Sequence, residues 1–123
     1  MNKFNILGLG LLLASFWTCA MSADEQNSYM NIHDGYNNAD NKLNELYNEQ
    51  MTEYKKEGGY FYGQKESKDV YLKKAQQAWV KMRDASCDYE TYESKAGTGF
   101  SSIYEKCLLD KTNERIQYLK DNN

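Results

Sequence analysis

The sequence predicts an all-α fold, a small antiparallel helical bundle of three main helices stapled by one disulfide. Three observations carry this. The 123 residues contain no proline, so nothing in the chain breaks a helix from within. Apolar positions recur every three and four residues rather than alternating. Glycine clusters at residues 58–59 and 97–99 punctuate the pattern and leave three helix-length segments. At this length one domain fits and a second does not.

Met1 to Ala23 reads as a secretory signal peptide: a basic start at Lys3, an apolar run from Ile6 to Trp17, and small residues at Ala20, Ser22 and Ala23. The run is about a dozen residues, short of the roughly 20 that span a bilayer, so the mature form, residues 24–123, is expected to have no membrane span. A lipoprotein signal ending at Cys19 is disfavoured, because Phe16, Trp17 and Thr18 are too bulky for the usual small-residue lipobox. The expected location is the periplasm or the medium.

The first helix is predicted from Ser28 or Asp34 to about Lys56, with Ala39, Leu43, Leu46, Tyr47, Gln50 and Tyr54 on one face. Gly58 and Gly59 stop it. A short aromatic loop follows, Tyr60, Phe61, Tyr62 and Gly63. Ser67 is the expected N-cap of the second helix, with Asp69 in its first turn. That helix is predicted to reach about Tyr92 and to bury Leu72, Ala75, Trp79, Met82 and Ser86. Residues 95–102 hold two glycines and no periodicity, so they form a loop. Ser102 and Glu105 have the spacing of a capping box and would start the third helix. Its Tyr104, Leu108, Arg115 or Ile116, and Leu119 would return along the groove between the first two.

Removing the leader takes away Lys3 and Cys19. It leaves 14 basic residues against 18 acidic, a net charge of -4, and two cysteines, Cys87 and Cys107. An even count in an exported chain favours one disulfide over a free thiol or a metal site. Such a bridge closes a loop of about 20 residues and contributes on the order of 3 kcal/mol by the chain-entropy estimate. The acidic balance argues against nonspecific nucleic-acid or anionic-membrane binding, which depend on clustered Lys and Arg. It suits a basic protein partner.

The most specific constellation runs from Gln76 through Trp79, Arg83 and Asp84 to Cys87. Trp79, Arg83 and Cys87 stand at i, i+4 and i+8, along one helical face. An arginine there can stack on the indole or reach a carboxylate on a neighbouring helix, which reads first as a lock on the bundle. Leu43-Asn44 with Tyr47, then Leu72 to Gln76 leading to Trp79, Arg83-Asp84 and Cys87, and finally Cys107 with Arg115 and Leu119, resembles the LprI-like lysozyme inhibitor N-terminal domain family. The resemblance covers roughly residues 28–120. It implies an exported helical domain, a disulfide matching Cys87 and Cys107, and, for at least some members, inhibition of lysozyme by protein binding. Members often carry a further cysteine early in the first helix, whereas Tyr29 to Tyr36 contain none.

No enzymatic site emerges. His33 is the sole histidine, and no metal-ligand set can be assembled around it. Glu45, Glu49 and Glu53 recur along an amphipathic surface, as solvated charges do. Nucleophile and phosphate-loop motifs are missing, and no cofactor is implied. Of the eleven tyrosines, Tyr47, Tyr54, Tyr71 and Tyr104 are expected to pack. Tyr60, Phe61 and Tyr62 in the first loop, with Thr98, Gly99 and Phe100 in the second, are the candidate contacts for a protein partner. The expected function is cleft occlusion of a lysozyme-type muramidase. A periplasmic immunity protein against a type VI toxin and an envelope interaction protein are the alternatives.

Overall fold

A computed structural model of the chain describes residues 21–123. The readings on the leader and on Cys19 fall outside the described residues. Within them lie three α-helices, a single 3-10 turn and no strand: α1 (Ala23–Glu57), α2 (Lys68–Glu90), the turn Tyr92–Ser94, and α3 (Phe100–Asp121).

The register is fixed by side chains that cross between helices. Going up α1, His33 meets Glu105, Gln50 donates to the Leu119 carbonyl at 2.9 Å, and the Tyr54 hydroxyl donates to Asn123 at 2.8 Å. Residue numbers therefore rise together in α1 and α3, which run parallel. Arg115 of α3 meets Gln76 of α2, while Cys107 is bonded to Cys87. So α2 runs antiparallel to both, in an up-down-up bundle. α3 packs chiefly on α1 rather than sharing itself evenly along a groove between α1 and α2. Gly35 marks that close approach, since a Cβ there would meet the Leu109 side chain at 3.3 Å.

The apolar core is narrow: Ala39, Leu43, Met51, Tyr54, Cys87, Leu108 and Leu119. It follows the face expected for α1, with Leu46 and Tyr47 half-buried beside it. In α2 the expected stripe is turned. Ala75 and Met82 are exposed and Leu72, Trp79 and Ser86 are half-buried, whereas Gln76, Arg83 and Cys87 are buried. The reason is that α2 meets its neighbours through polar groups that find partners there, so the buried face lies one residue, about 100° of rotation, from the one that apolar spacing marks.

Helix ends differ from expectation in ways that hydrogen bonds explain. In the uncleaved chain α1 begins at Ala23, well before Ser28, because Ser22 and Glu25 form a capping box that removal of residues 1–23 would take away: the Ser22 hydroxyl accepts from the Glu25 amide at 3.2 Å, and the Ser22 amide donates to the Glu25 carboxylate at 2.9 Å. Ser67 occupies the N-cap position of α2, but its side chain makes no cap bond. α2 stops at Glu90 rather than Tyr92, where the Thr91 hydroxyl donates to the Cys87 carbonyl at 2.7 Å. The Ser102–Glu105 capping box does not form. α3 starts at Phe100 with Gly99 as N-cap, and Glu105 is turned across the bundle to His33. Of the four tyrosines expected to pack, Tyr54 is buried, Tyr47 and Tyr104 are half-buried, and Tyr71 is exposed.

Candidate functional site

The residues singled out from sequence fall into three places: a seam in the middle of the bundle and a loop at each end. The seam gathers Gln76, Trp79, Arg83, Asp84 and Arg115. Arg83 donates through Nε to Asp84 at 2.8 Å, and its Nη1 lies 3.4 Å from Asp40 and 3.5 Å from the Thr112 hydroxyl. Its guanidinium also stands 5.2 Å from the Trp79 ring and 5.8 Å from that of Tyr36. Burial pulls the Arg83 pKa down, but the Asp84 hydrogen bond and the surrounding negative groups outweigh it and leave the value raised. Burial likewise pushes the Tyr36 phenol up, against the pull of Arg83.

Arg115 is held differently. Its Nε donates to Gln76 at 3.1 Å, and its guanidinium lies 5.7 Å from Trp79 and 4.9 Å from Tyr118. It forms no salt bridge with a carboxylate among the described residues, and its Nη2 is buried without a hydrogen-bond partner. Burial accordingly lowers its pKa. Trp79 is thus flanked by two arginines, one neutralised by carboxylates and the other resting on aromatic faces. These groups hold α2 to α1 and α3. Gln76, Arg83 and Arg115 are buried and the groups engage one another, while Trp79 and Asp84 stay partly exposed.

The two candidate loops lie at opposite ends. The first, residues 58–67, follows the C-terminus of α1. The second, residues 91–99, sits where the α1 N-terminus and the disulfide are found. Between them runs α2, about 34 Å long at 1.5 Å per residue, so the loops do not form one surface.

At the disulfide end, Cys87 and Cys107 are joined with their Cα atoms 5.8 Å apart. His33 sits 2.9 Å from Glu105 and is stacked on Tyr29. Thr98 and Gly99 line a small cleft of about 240 Å³ together with Met21, Glu25, Ser28 and Ile103. Phe100 is half-buried against Tyr104, 5.6 Å between ring centres, so it supports the loop more than it presents itself. Tyr89 and Tyr92, which the sequence reading did not single out, are 83 % and 78 % exposed at this end. The signal for them was available: each abuts the chain's disulfide-anchored loop.

At the other end, Tyr60, Phe61 and Tyr62 are 70 %, 85 % and 99 % exposed. Gly58, Gly59 and Gly63 hold positive φ there, at 59°, 78° and 82°, conformations that side chains other than glycine's rarely adopt. Beneath the rings opens a cleft of about 640 Å³, bordered by Tyr54, Tyr71 and Lys68.

Charge divides along the same axis. Residues 24–40 and 84–93 carry eight carboxylates and no lysine or arginine, whereas residues 55–74 carry six lysines against three carboxylates. The chain-wide balance conceals this separation. Among the described residues no group of three or more potential ligands is placed to hold a metal ion, and no helix is long and apolar enough to cross a membrane.

Comparison with known proteins gives the family. A family model described as lysozyme inhibitor LprI matches residues 19–119. The chain belongs to the lysozyme inhibitor LprI family. The match takes in α1, α2, α3 up to its last turn, both cysteines of the disulfide and every residue of the seam. An uncharacterized protein of Rhizobium meliloti (strain 1021) is 36 % identical over 50 residues, a stretch covering 41 % of this chain and 36 % of that protein. The chain thus spans about a third of that relative's length. No solved structure matches.

Proposed function

We propose that this LprI-family chain is an exported inhibitor that binds a lysozyme-type muramidase and blocks its substrate cleft. Family membership over residues 19–119 carries the inhibitor reading. The leader read in Met1 to Ala23 supports export, where a muramidase would be met. Binding is by surface contact and needs no catalytic group.

The disulfide end is the surface that suits a basic enzyme. Asp24, Asp34, Asp88 and Glu93 are exposed there without a salt-bridge partner among the described residues. Their field would draw in a cationic partner and raise the association rate. Affinity would then rest on Tyr89 and Tyr92, rigid amphipathic side chains of the kind that dominate interface energetics, with Thr98, Gly99 and the Phe100-supported loop beside them. A loop fixed by a disulfide loses little freedom on binding, which favours a shape-specific contact. The aromatic loop at the opposite end carries the wrong charge for this partner.

The test is a cell-wall lysis assay with purified oxidised protein and a panel of lysozymes. Inhibition of at least one enzyme at modest molar excess is the expected result. No inhibition of any of them at micromolar excess would overturn the reading.

A further inference from the structure

We propose that the aromatic loop between α1 and α2 is a docking surface for an anionic phospholipid membrane. The proposal stands on three features, none of which the inhibitor reading uses. The first is exposure. Tyr60, Phe61 and Tyr62 are consecutive, and all three rings face solvent. Single exposed aromatics are ordinary, but three in a row at the tip of a molecule are a patch that invites a partner.

The second is charge. Lys55 and Lys56 precede the rings, Lys65 and Lys68 follow them, and Lys73 and Lys74 lie in the next two turns of α2. All six are exposed. Against Glu57, Glu66 and Asp69 they leave this segment at +3, in a chain whose residues 24–123 sum to -4. Glu66 is moreover already paired with Lys74. The carboxylates that make the whole chain acidic are concentrated elsewhere, so the local field is positive.

The third is arrangement. The rings project from a glycine-rich turn, with ammonium groups behind them on the helix ends. Lys68 already places its ammonium 4.0 Å from the centre of the Tyr54 ring. A bilayer surface presents the complementary order, with phosphates outermost and the acyl boundary a few ångströms deeper. Tyr settles at that headgroup level, Phe enters the acyl boundary, and lysines within a Debye length, about 8 Å in physiological salt, are drawn to anionic lipid. A protein cleft would require a shaped surface. The tip offers none, since Tyr62 is 99 % exposed and the cleft lies beneath the rings rather than on their solvent side. Charge complementarity and a solvent-exposed apolar tip fit a fluid surface better than a rigid one. The span of α2 would then hold the acidic end away from the membrane.

The probe is vesicle flotation with the exported, oxidised protein. Vesicles of phosphatidylcholine containing about one-third phosphatidylglycerol are compared with pure phosphatidylcholine, at low and high salt. Binding is expected only to the anionic vesicles and is expected to fall about tenfold or more at high salt. Two variants sharpen it: Tyr60→Ser with Phe61→Ser and Tyr62→Ser, and Lys55→Glu with Lys56→Glu and Lys65→Glu. Each is expected to lose vesicle binding by about tenfold or more while keeping native helicity and muramidase inhibition. The salt dependence of the unmodified protein needs no variant to fold. Failure to bind anionic vesicles, equal binding to neutral ones, or full binding by either variant would overturn the proposal. So would loss of muramidase inhibition in the serine variant, which would give the loop to a protein partner.

Discussion

Where α2 gives way to α3, the chain is tied by the Cys87–Cys107 disulfide, by Thr91 bonded to the Cys87 carbonyl, and by the His33–Glu105 pair that draws α1 in. Where α1 gives way to α2, the connection is held by three glycines at positive φ and by the Lys68 contact with Tyr54. The first end is acidic and bears isolated tyrosines; the second is basic and bears three adjacent rings. The difference teaches how a small chain distributes rigidity. About 100 residues supply only a few kcal/mol of net stability, so one cross-link has to be placed where it matters. It stands beside the surface that suits a partner of fixed shape. The looser end suits a partner that conforms.

Removing the cross-link should break that contrast most strongly. Replacing Cys87 and Cys107 by alanine is expected to lower the unfolding free energy by about 3 kcal/mol, read from the urea midpoint. Amides that exchange through global unfolding should all speed up by that amount, and those that open locally should speed up more between residues 88 and 106 than between residues 41 and 70. An equal change at both ends would show that the disulfide acts only on the unfolded chain.

A binding measurement separates the ends next. Tyr92→Ala is expected to weaken muramidase inhibition by about 2 kcal/mol, roughly thirtyfold, as loss of an interface anchor does. Its unfolding midpoint should stay near that of the unmodified protein, because the side chain is exposed. Tyr62→Ala should leave inhibition unchanged. The opposite ranking would exchange the roles of the two ends.

Steering is a smaller effect and acts on rate. Asp88→Lys with Glu93→Lys should slow association with a basic muramidase about tenfold at low salt, and dissociation much less. The difference should shrink as salt rises through the range where the Debye length falls below about 10 Å. A change confined to dissociation would place these carboxylates inside the contact rather than around it.

How far the sequence reveals this molecule depends on the kind of information each feature carries. Helix number, the glycine stops at 58–59 and the disulfide were legible, because periodicity and cysteine count are local properties. The buried face of α2 was not. Gln76 and Arg83 are buried only because Arg115, Asp40 and Thr112 arrive from other helices to satisfy them, and hydropathy knows nothing of partners. The capping boxes show the same limit. Ser22–Glu25 and Ser102–Glu105 have equal spacing, yet only the first forms. Glu105 has a competing use, accepting from Tyr29 at 3.4 Å and sitting against His33 across the bundle. The separation of the two loops, by contrast, was implied, since in an antiparallel bundle of three helices the connections before and after the middle one lie at its opposite ends. Net charge misled most, since -4 is a sum over a chain whose ends differ in sign.

The smallest expected effect is on stability at the aromatic end, and it is informative because it should be nearly absent. Changing Tyr60, Phe61 and Tyr62 together to serine removes three large side chains, which in a core would cost several kcal/mol. Here the rings are 70 % to 99 % exposed, so they forfeit little burial, and the unfolded chain exposes them just as fully. The unfolding free energy should therefore move by no more than about 0.5 kcal/mol, the range of ordinary surface changes, with the urea slope unaltered. Gly58→Ala supplies the contrast. A Cβ there meets nothing within 4 Å, but φ is 59°, and forcing a side chain into that region should cost about 1 kcal/mol. If the serine variant instead lost more than about 1.5 kcal/mol, the rings would have to be folded down onto Tyr54 and Tyr71 in solution, more burial than a surface substitution removes. That would close the cleft and remove the distinction between a tied end and an open one. If it does not, the turn is maintained by its glycines, the Gln64-to-Phe61 backbone hydrogen bond and the Lys68 contact with Tyr54, and three aromatic residues that contribute nothing to folding need another reason to be there.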